Sequence, residues 1–147
     1  MTPDDFMVLG PVLKHRLKES VGAAVHVLTA SDLEGVAEQK QVTPAVHLLY
    51  WGYRPVEADF DGYITMEQTG LTVIAVRNLR DARGGEAARQ DAGPIAASVM
   101  EGLHRWRPCA PGAKPLTLAA APQAGYRAGF FYLPLAWTAR LTIRGDC

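Results

Sequence analysis

Phe130-Phe131-Tyr132-Leu133-Pro134-Leu135-Ala136-Trp137-Thr138-Ala139-Arg140-Leu141-Thr142-Ile143-Arg144 alternates for almost its whole length. Phe131, Leu133, Leu135, Trp137, Ala139, Leu141 and Ile143 fall on one side, and Tyr132, Thr138, Arg140, Thr142 and Arg144 on the other. Successive side chains of a strand point to opposite faces, so this two-residue period predicts a last strand, Phe130 to Arg144, in a sheet with one buried side.

Working back from that strand, Pro122 to Arg127 reads as a turn, Leu116 to Ala120 as a strand and Arg107 to Pro115 as a loop. Before the loop the period changes. Ala92, Ile95, Val99, Leu103 and Trp106 share one face of an alanine-rich helix, in which Gly93-Pro94 marks a kink or the true first turn. Further upstream, Ala45 to Arg54 and Tyr63 to Val76 make an antiparallel hairpin through Asp61-Gly62, with Gly70 as its expected bulge. The uninterrupted apolar run Val46, Leu48, Leu49, Tyr50, Trp51 predicts a strand covered on both faces, by the sheet's own layers or by a subunit interface.

Ala23 to Thr29 has the β-branched content of a strand, and Ser31-Asp32-Leu33-Glu34 the spacing of a capping box that starts a short helix over about 32–39. Thr2-Pro3-Asp4-Asp5 signals the start of a first helix whose Phe6, Leu9, Leu13 and Leu17 form an apolar stripe, with Gly10-Pro11 kinking it or postponing its regular part. The resulting order is α-β-(short α)-β-β-α-β-β. It predicts an α/β (α+β) fold: a two-layer, mainly antiparallel sheet of about four to five strands packed with two main helices and one short helix. The 147 residues suit one domain, residues 1–147, because a split would leave two cores too small to stand alone.

Fifteen basic residues balance fifteen acidic ones, which excludes a global field of the kind that marks general nucleic-acid or anionic-membrane binders. Two cysteines, Cys109 and Cys147, are too few for a small secreted disulfide scaffold. The acidic start and the lack of a long apolar run point to folding in the cytoplasm with no membrane partner.

Signals for chemistry are sparse. His15, His26, His47 and His104 show no metal-ligand spacing, and Asp59-Phe60-Asp61-Gly62 lacks the later ligands of a calcium loop. Ser98 is not on a glycine-flanked elbow, Cys109 has no local signature, and Gly84-Gly85 lacks the lysine of a phosphate-cradling loop. No catalytic residue, metal or cofactor is expected.

Arginine stands out, at eleven residues against four lysines. Its planar fork suits subunit interfaces and phosphates. Arg77, Arg80, Arg83 and Arg89 bracket the loop before the second long helix, Arg105 and Arg107 bracket its end, and Arg127, Arg140 and Arg144 lie in the final third. Tyr50-Trp51-Gly52-Tyr53 and Tyr126, Phe130, Phe131, Tyr132 add aromatic clusters, which serve either as core or as interface hot spots. Two other readings stay open at this point: a nucleic-acid-binding module that uses the arginine loop and the last strand, and a small enzyme with a dispersed site.

The loop Arg77-Asn78-Leu79-Arg80-Asp81-Ala82-Arg83-Gly84-Gly85 running into Asp91-Ala92-Gly93-Pro94, and the segment Gly125-Tyr126-Arg127-Ala128-Gly129-Phe130-Phe131-Tyr132-Leu133-Pro134-Leu135, resemble the Mu-like phage tail terminator family. The likeness spans nearly the whole chain. It implies a structural, non-enzymatic subunit that forms a ring with copies of itself, a hexamer, at the head-proximal end of a phage or prophage tail. Such a ring stops tail-tube polymerisation and meets tail tube, sheath and head connector proteins. A ring needs two complementary patches per subunit. The interface residues expected from this reading are Arg77, Arg80, Arg83 and Arg89 in the loop and Tyr126, Arg127 and Tyr132 in the late hairpin.

Overall fold

The computed structural model describes residues 5–58, 62–80, 85–110, 112–127 and 129–144. Helix α1 spans Leu9–Val21, strand β1 His26–Thr29 and helix α2 Ala30–Leu33, followed by a 3-10 turn at Glu38–Lys40. Strands β2 (Ala45–Ala58) and β3 (Tyr63–Arg77) precede helix α3 (Glu86–Leu103), and the short strands β4 (Thr117–Ala119) and β5 (Gly125–Arg127) lead to β6 (Phe130–Arg144). One mixed sheet runs in the order β1-β2-β3-β6-β4, with β5 paired to β6 further along the same edge. Among the described residues only β1 and β2 run parallel; every other pairing is antiparallel.

The alternation in β6 settles the layers. Its ladder with β3 runs unbroken from Tyr63↔Arg144 to Arg77↔Phe130, and paired residues share a face. Ile74 and Val76 therefore lie beside Leu133 and Phe131, on the face where α1 and α3 pack through Leu9, Leu17, Ala88, Ala92, Ala96, Val99 and Leu103. Burying side chains of this size contributes about 1.5–3 kcal/mol each for the larger ones. The Trp137 indole N–H in this layer donates to Thr72 Oγ1 at 2.9 Å, which satisfies a buried donor. On the opposite face, Glu67 receives Arg54 at 3.2 Å and Arg140 at 3.4 Å, and the Thr65 and Thr142 hydroxyls meet at 3.0 Å.

Several boundaries differ from the expectation, each for a local reason. The sheet has six strands because the segment read as a turn before β6 holds a three-residue strand, β5. The short helix over 32–39 divides in two, because Gly35 takes φ 73 between α2 and the 3-10 turn. Its cap is Thr29, not Ser31: the Asp32 carboxylate accepts the Thr29 amide at 2.8 Å. Helix α1 starts at Leu9, so Pro11 occupies the first turn, where a missing amide costs nothing; the start signal at Thr2-Pro3-Asp4 lies outside the described residues. Gly93-Pro94 is inside α3 and not its first turn, with both residues exposed, so the break in the amide ladder faces solvent. The hairpin bulges sit on β2, between Tyr50 and Gly52 and between Pro55 and Glu57, rather than at Gly70, which stays in register with Tyr50 and Trp137.

Candidate functional site

The arginine loop and the late hairpin meet at one end of the sheet. Arg77 closes β3 with its guanidinium 5.0 Å from the centroid of Phe130, whose buried ring stacks in turn on Tyr132 at 6.1 Å. The Asn78 amide donates to the Gly129 carbonyl at 2.9 Å, its side chain donates to Asp91 of α3 at 2.8 Å, and its Oδ1 accepts the Arg80 amide at 3.0 Å. Leu79 packs so close to Gly129 that a Cβ there would come within 2.5 Å of Leu79 Cδ2. Gly85, at φ 67, caps α3 with its Cα against the Tyr126 ring, where a Cβ would approach to 2.8 Å. The described part of the loop, Arg77 to Arg80 and Gly85, is thus built against the hairpin.

Glu38 supplies the charge that organises it. Its carboxylate accepts Arg127 Nε at 3.2 Å and Nη2 at 2.6 Å, a two-point geometry, and the Tyr132 hydroxyl at 2.8 Å. Hydrogen bonds from Arg127 and then Tyr132 hold the Glu38 carboxyl below its ordinary value, and Glu38 in return raises Arg127. Burial first, and the Glu38 bond and charge next, push the Tyr132 hydroxyl up to about 12. Nothing local in the sequence pairs Glu38 with the hairpin, since its partners lie 89 and 94 residues away.

Of the residues expected at an interface, Arg77, Arg80 and Arg89 are exposed, Arg127 and Tyr132 are held by Glu38, and Tyr126 is part-buried against Gly85. Arg83 lies outside the described residues. Loop and hairpin therefore share one end of the sheet, with Tyr126 on the helix-covered face and Arg77, Arg127 and Tyr132 on the other. A second feature lies on the far edge of the sheet, where Tyr50, Trp51 and Tyr53 of β2 are 48%, 64% and 59% exposed. The run expected to be covered on both faces is covered only at its start, where Val46 is fully buried. Beyond β1 the strand is an edge.

The other chemistries find little to build on. Among the described residues no three His, Cys, Asp or Glu side chains are placed to share a metal ion. His26 pairs with Ala45 and His47 with Leu28, which offsets the two histidines along their strands. His47 is buried with Nε2 unpartnered, and burial lowers its pKa. No helix of the described residues is long and apolar enough to cross a membrane. The arginines of the last strand lie far from the loop: Arg144 and Phe130 close opposite ends of the β3–β6 ladder, roughly 45 Å apart for a strand of this length. Arg144 there stacks on Tyr63, and Arg140 shares Glu67 with Arg54. Among the described residues, the arginines of the loop and those of the last strand thus lie apart.

The model of the phage tail terminator protein family matches residues 5–146, which takes in every helix and strand described above. The chain belongs to the phage tail terminator family. It is a structural tail protein, and its place is the tail of a phage-type virion. No curated protein matches the sequence. Among solved structures, a chain from the virion of a native gene transfer agent particle superposes with a TM-score of 0.58 at 14% identity, covering 95% of this chain and 100% of that one. At that identity the likeness is one of fold. In this terminator-family chain, the shared architecture carries a preorganised arginine-rich end and an exposed aromatic edge.

Proposed function

We propose that the protein is the tail terminator subunit itself: copies of it close into a ring, a hexamer, on the head-proximal end of the tail. The ring stops tail-tube polymerisation and presents a surface to the head connector. It assembles in the bacterial host cytoplasm, contacts tube and sheath proteins, and works as a scaffold without catalysis or cofactor. The observation that carries this reading is the extent of the family match, which runs from before α1 to the end of β6.

The geometry of the arginine end supports it. Interfaces of rigid assemblies gain when contact groups are held before binding, because less side-chain entropy is lost on association. Glu38, Phe130, Gly129 and Gly85 hold Arg127, Arg77, Leu79 and Tyr126 in that way. Arg77, Arg80, Arg83, Arg89, Tyr126, Arg127 and Tyr132 are the contact residues assigned to this end. The test is tube growth. Purified protein added to polymerising tube subunits is expected to cap one end, narrow the length distribution and show a six-fold ring in end-on electron micrographs; unchanged elongation with no ring on the tube would overturn the reading.

A further inference from the structure

A closed ring requires two different patches that fit one another, yet the loop and the late hairpin occupy one end together. The second patch must lie elsewhere. On the opposite edge of the sheet from β5, strand β2 exposes Tyr50, Trp51 and Tyr53 within four residues. Monomeric surfaces rarely group large aromatics this way, and aromatics with arginine make up most interface hot spots.

The backbone says how this edge is used. A register shift between Tyr50 and Gly52 makes Trp51 the extra residue of a bulge, a second shift follows Pro55, and proline has no amide to offer a ladder. Strand addition is blocked on this stretch, so the contact is made by side chains. Next to Tyr50 an apolar recess of about 80 Å3 opens between α1 and the sheet, lined by Met7, Leu9, Leu13, Tyr50 and Trp137. Glu34, which caps α2 and shares a recess with Leu49, and Glu57, further along β2, are exposed and have no ion-pair partner among the described residues.

The same chain carries the complement. At the arginine end, Leu79 is 62% exposed although it rests on Gly129, and Arg80 beside it is exposed, its amide held by Asn78. We propose that in the ring the Leu79–Arg80 corner of one copy docks on the Tyr50–Trp51–Tyr53 edge of the next. Leu79 enters the apolar recess, the Arg80 guanidinium lies over the exposed aromatic faces, and Glu34 and Glu57 face the arginine cluster. The occupant is a second copy of this chain, because the apolar knob and the cations that fit this edge sit away from it, at the end of the same sheet where β3 meets the β5–β6 turn, and a head-to-tail ring needs two such separate surfaces. This rests on the ring reading above.

The test is a designed cross-link in the full chain with Cys109→Ser and Cys147→Ser. Trp51→Cys together with Arg80→Cys should give, on oxidation, a ladder of disulfide-linked oligomers that ends at the closed ring. Each single cysteine variant alone should stay monomeric under denaturing conditions. In parallel, Trp51→Ala and Arg80→Ala should each weaken self-association about 30-fold or more, the loss typical of a truncated hot spot, with an unchanged unfolding midpoint. Rings of native stability from both alanine variants, or no ladder from the double cysteine variant, would overturn the assignment. So would dimers from Trp51→Cys alone, which would mean edge-to-edge pairing. These outcomes separate from failure of the ring reading itself, which is scored by tube capping with the unsubstituted protein.

Discussion

The Glu38 carboxylate accepts Arg127 at 3.2 and 2.6 Å and the Tyr132 hydroxyl at 2.8 Å, so a single acid joins the 3-10 turn to the hairpin. The linkage runs in both directions along the pH scale. A carboxyl lowered from 4.5 contributes stability above that pH, and the contribution is lost as pH falls through its folded value. A phenol raised from 10.0 to about 12 contributes below pH 10, and that contribution is lost as pH rises through about 12. Glu38→Gln removes the charge and weakens the bond while burial stays, so the Tyr132 phenolate step should move part of the way down from about 12; absorbance titration against Tyr132→Phe identifies which step is Tyr132. A step that stays near 12 in Glu38→Gln would mean that burial alone holds the phenol. The sequence named Arg127 and Tyr132 but not Glu38, because a lone glutamate in a polar stretch carries no mark of a partner 89 residues away.

At the scale of elements, helices α1 and α3 cross where Gly102 faces Ser20. A Cβ on Gly102 would lie 2.0 Å from Ser20 Oγ and 2.6 Å from its Cβ, and Arg16 ties the same place by donating to the Gly102 carbonyl at 2.9 Å. Gly102→Ala should therefore destabilise the fold by about 1–3 kcal/mol in urea denaturation, despite alanine's better helix propensity, because overpacking forces the helices apart. Gly102→Ala in a Ser20→Gly background is the control: the side chain that its Cβ would meet is gone, so the added loss should disappear. Equal effects from the two would remove the packing explanation. The long strands and helices were legible because a periodic apolar face repeats over many residues, as in β6 and in α3 around Ala92, Val99 and Leu103. The three-residue β5 was not, since a stretch that short holds barely more than one period.

For the whole molecule, the core cluster draws on α1, α3, β2, β3 and β6 together, so heat or urea should unfold the chain in one cooperative step. Tryptophan fluorescence and far-ultraviolet circular dichroism should give coincident transitions; two separated transitions would show that part of the chain folds alone. By itself, the sequence determined that this protein is a sheet with its two long helices on one face, because hydrophobic period is written residue by residue and burial follows from it. It also determined that arginine and aromatic side chains would make its surfaces, because composition is local. Tertiary structure alone decided that the arginine loop and the late hairpin share one end, that Glu38 holds them, and that Trp51 bulges from an open edge. Those facts depend on which distant segments pair and in what register, and residues that meet only through such pairing leave no periodic trace along the chain.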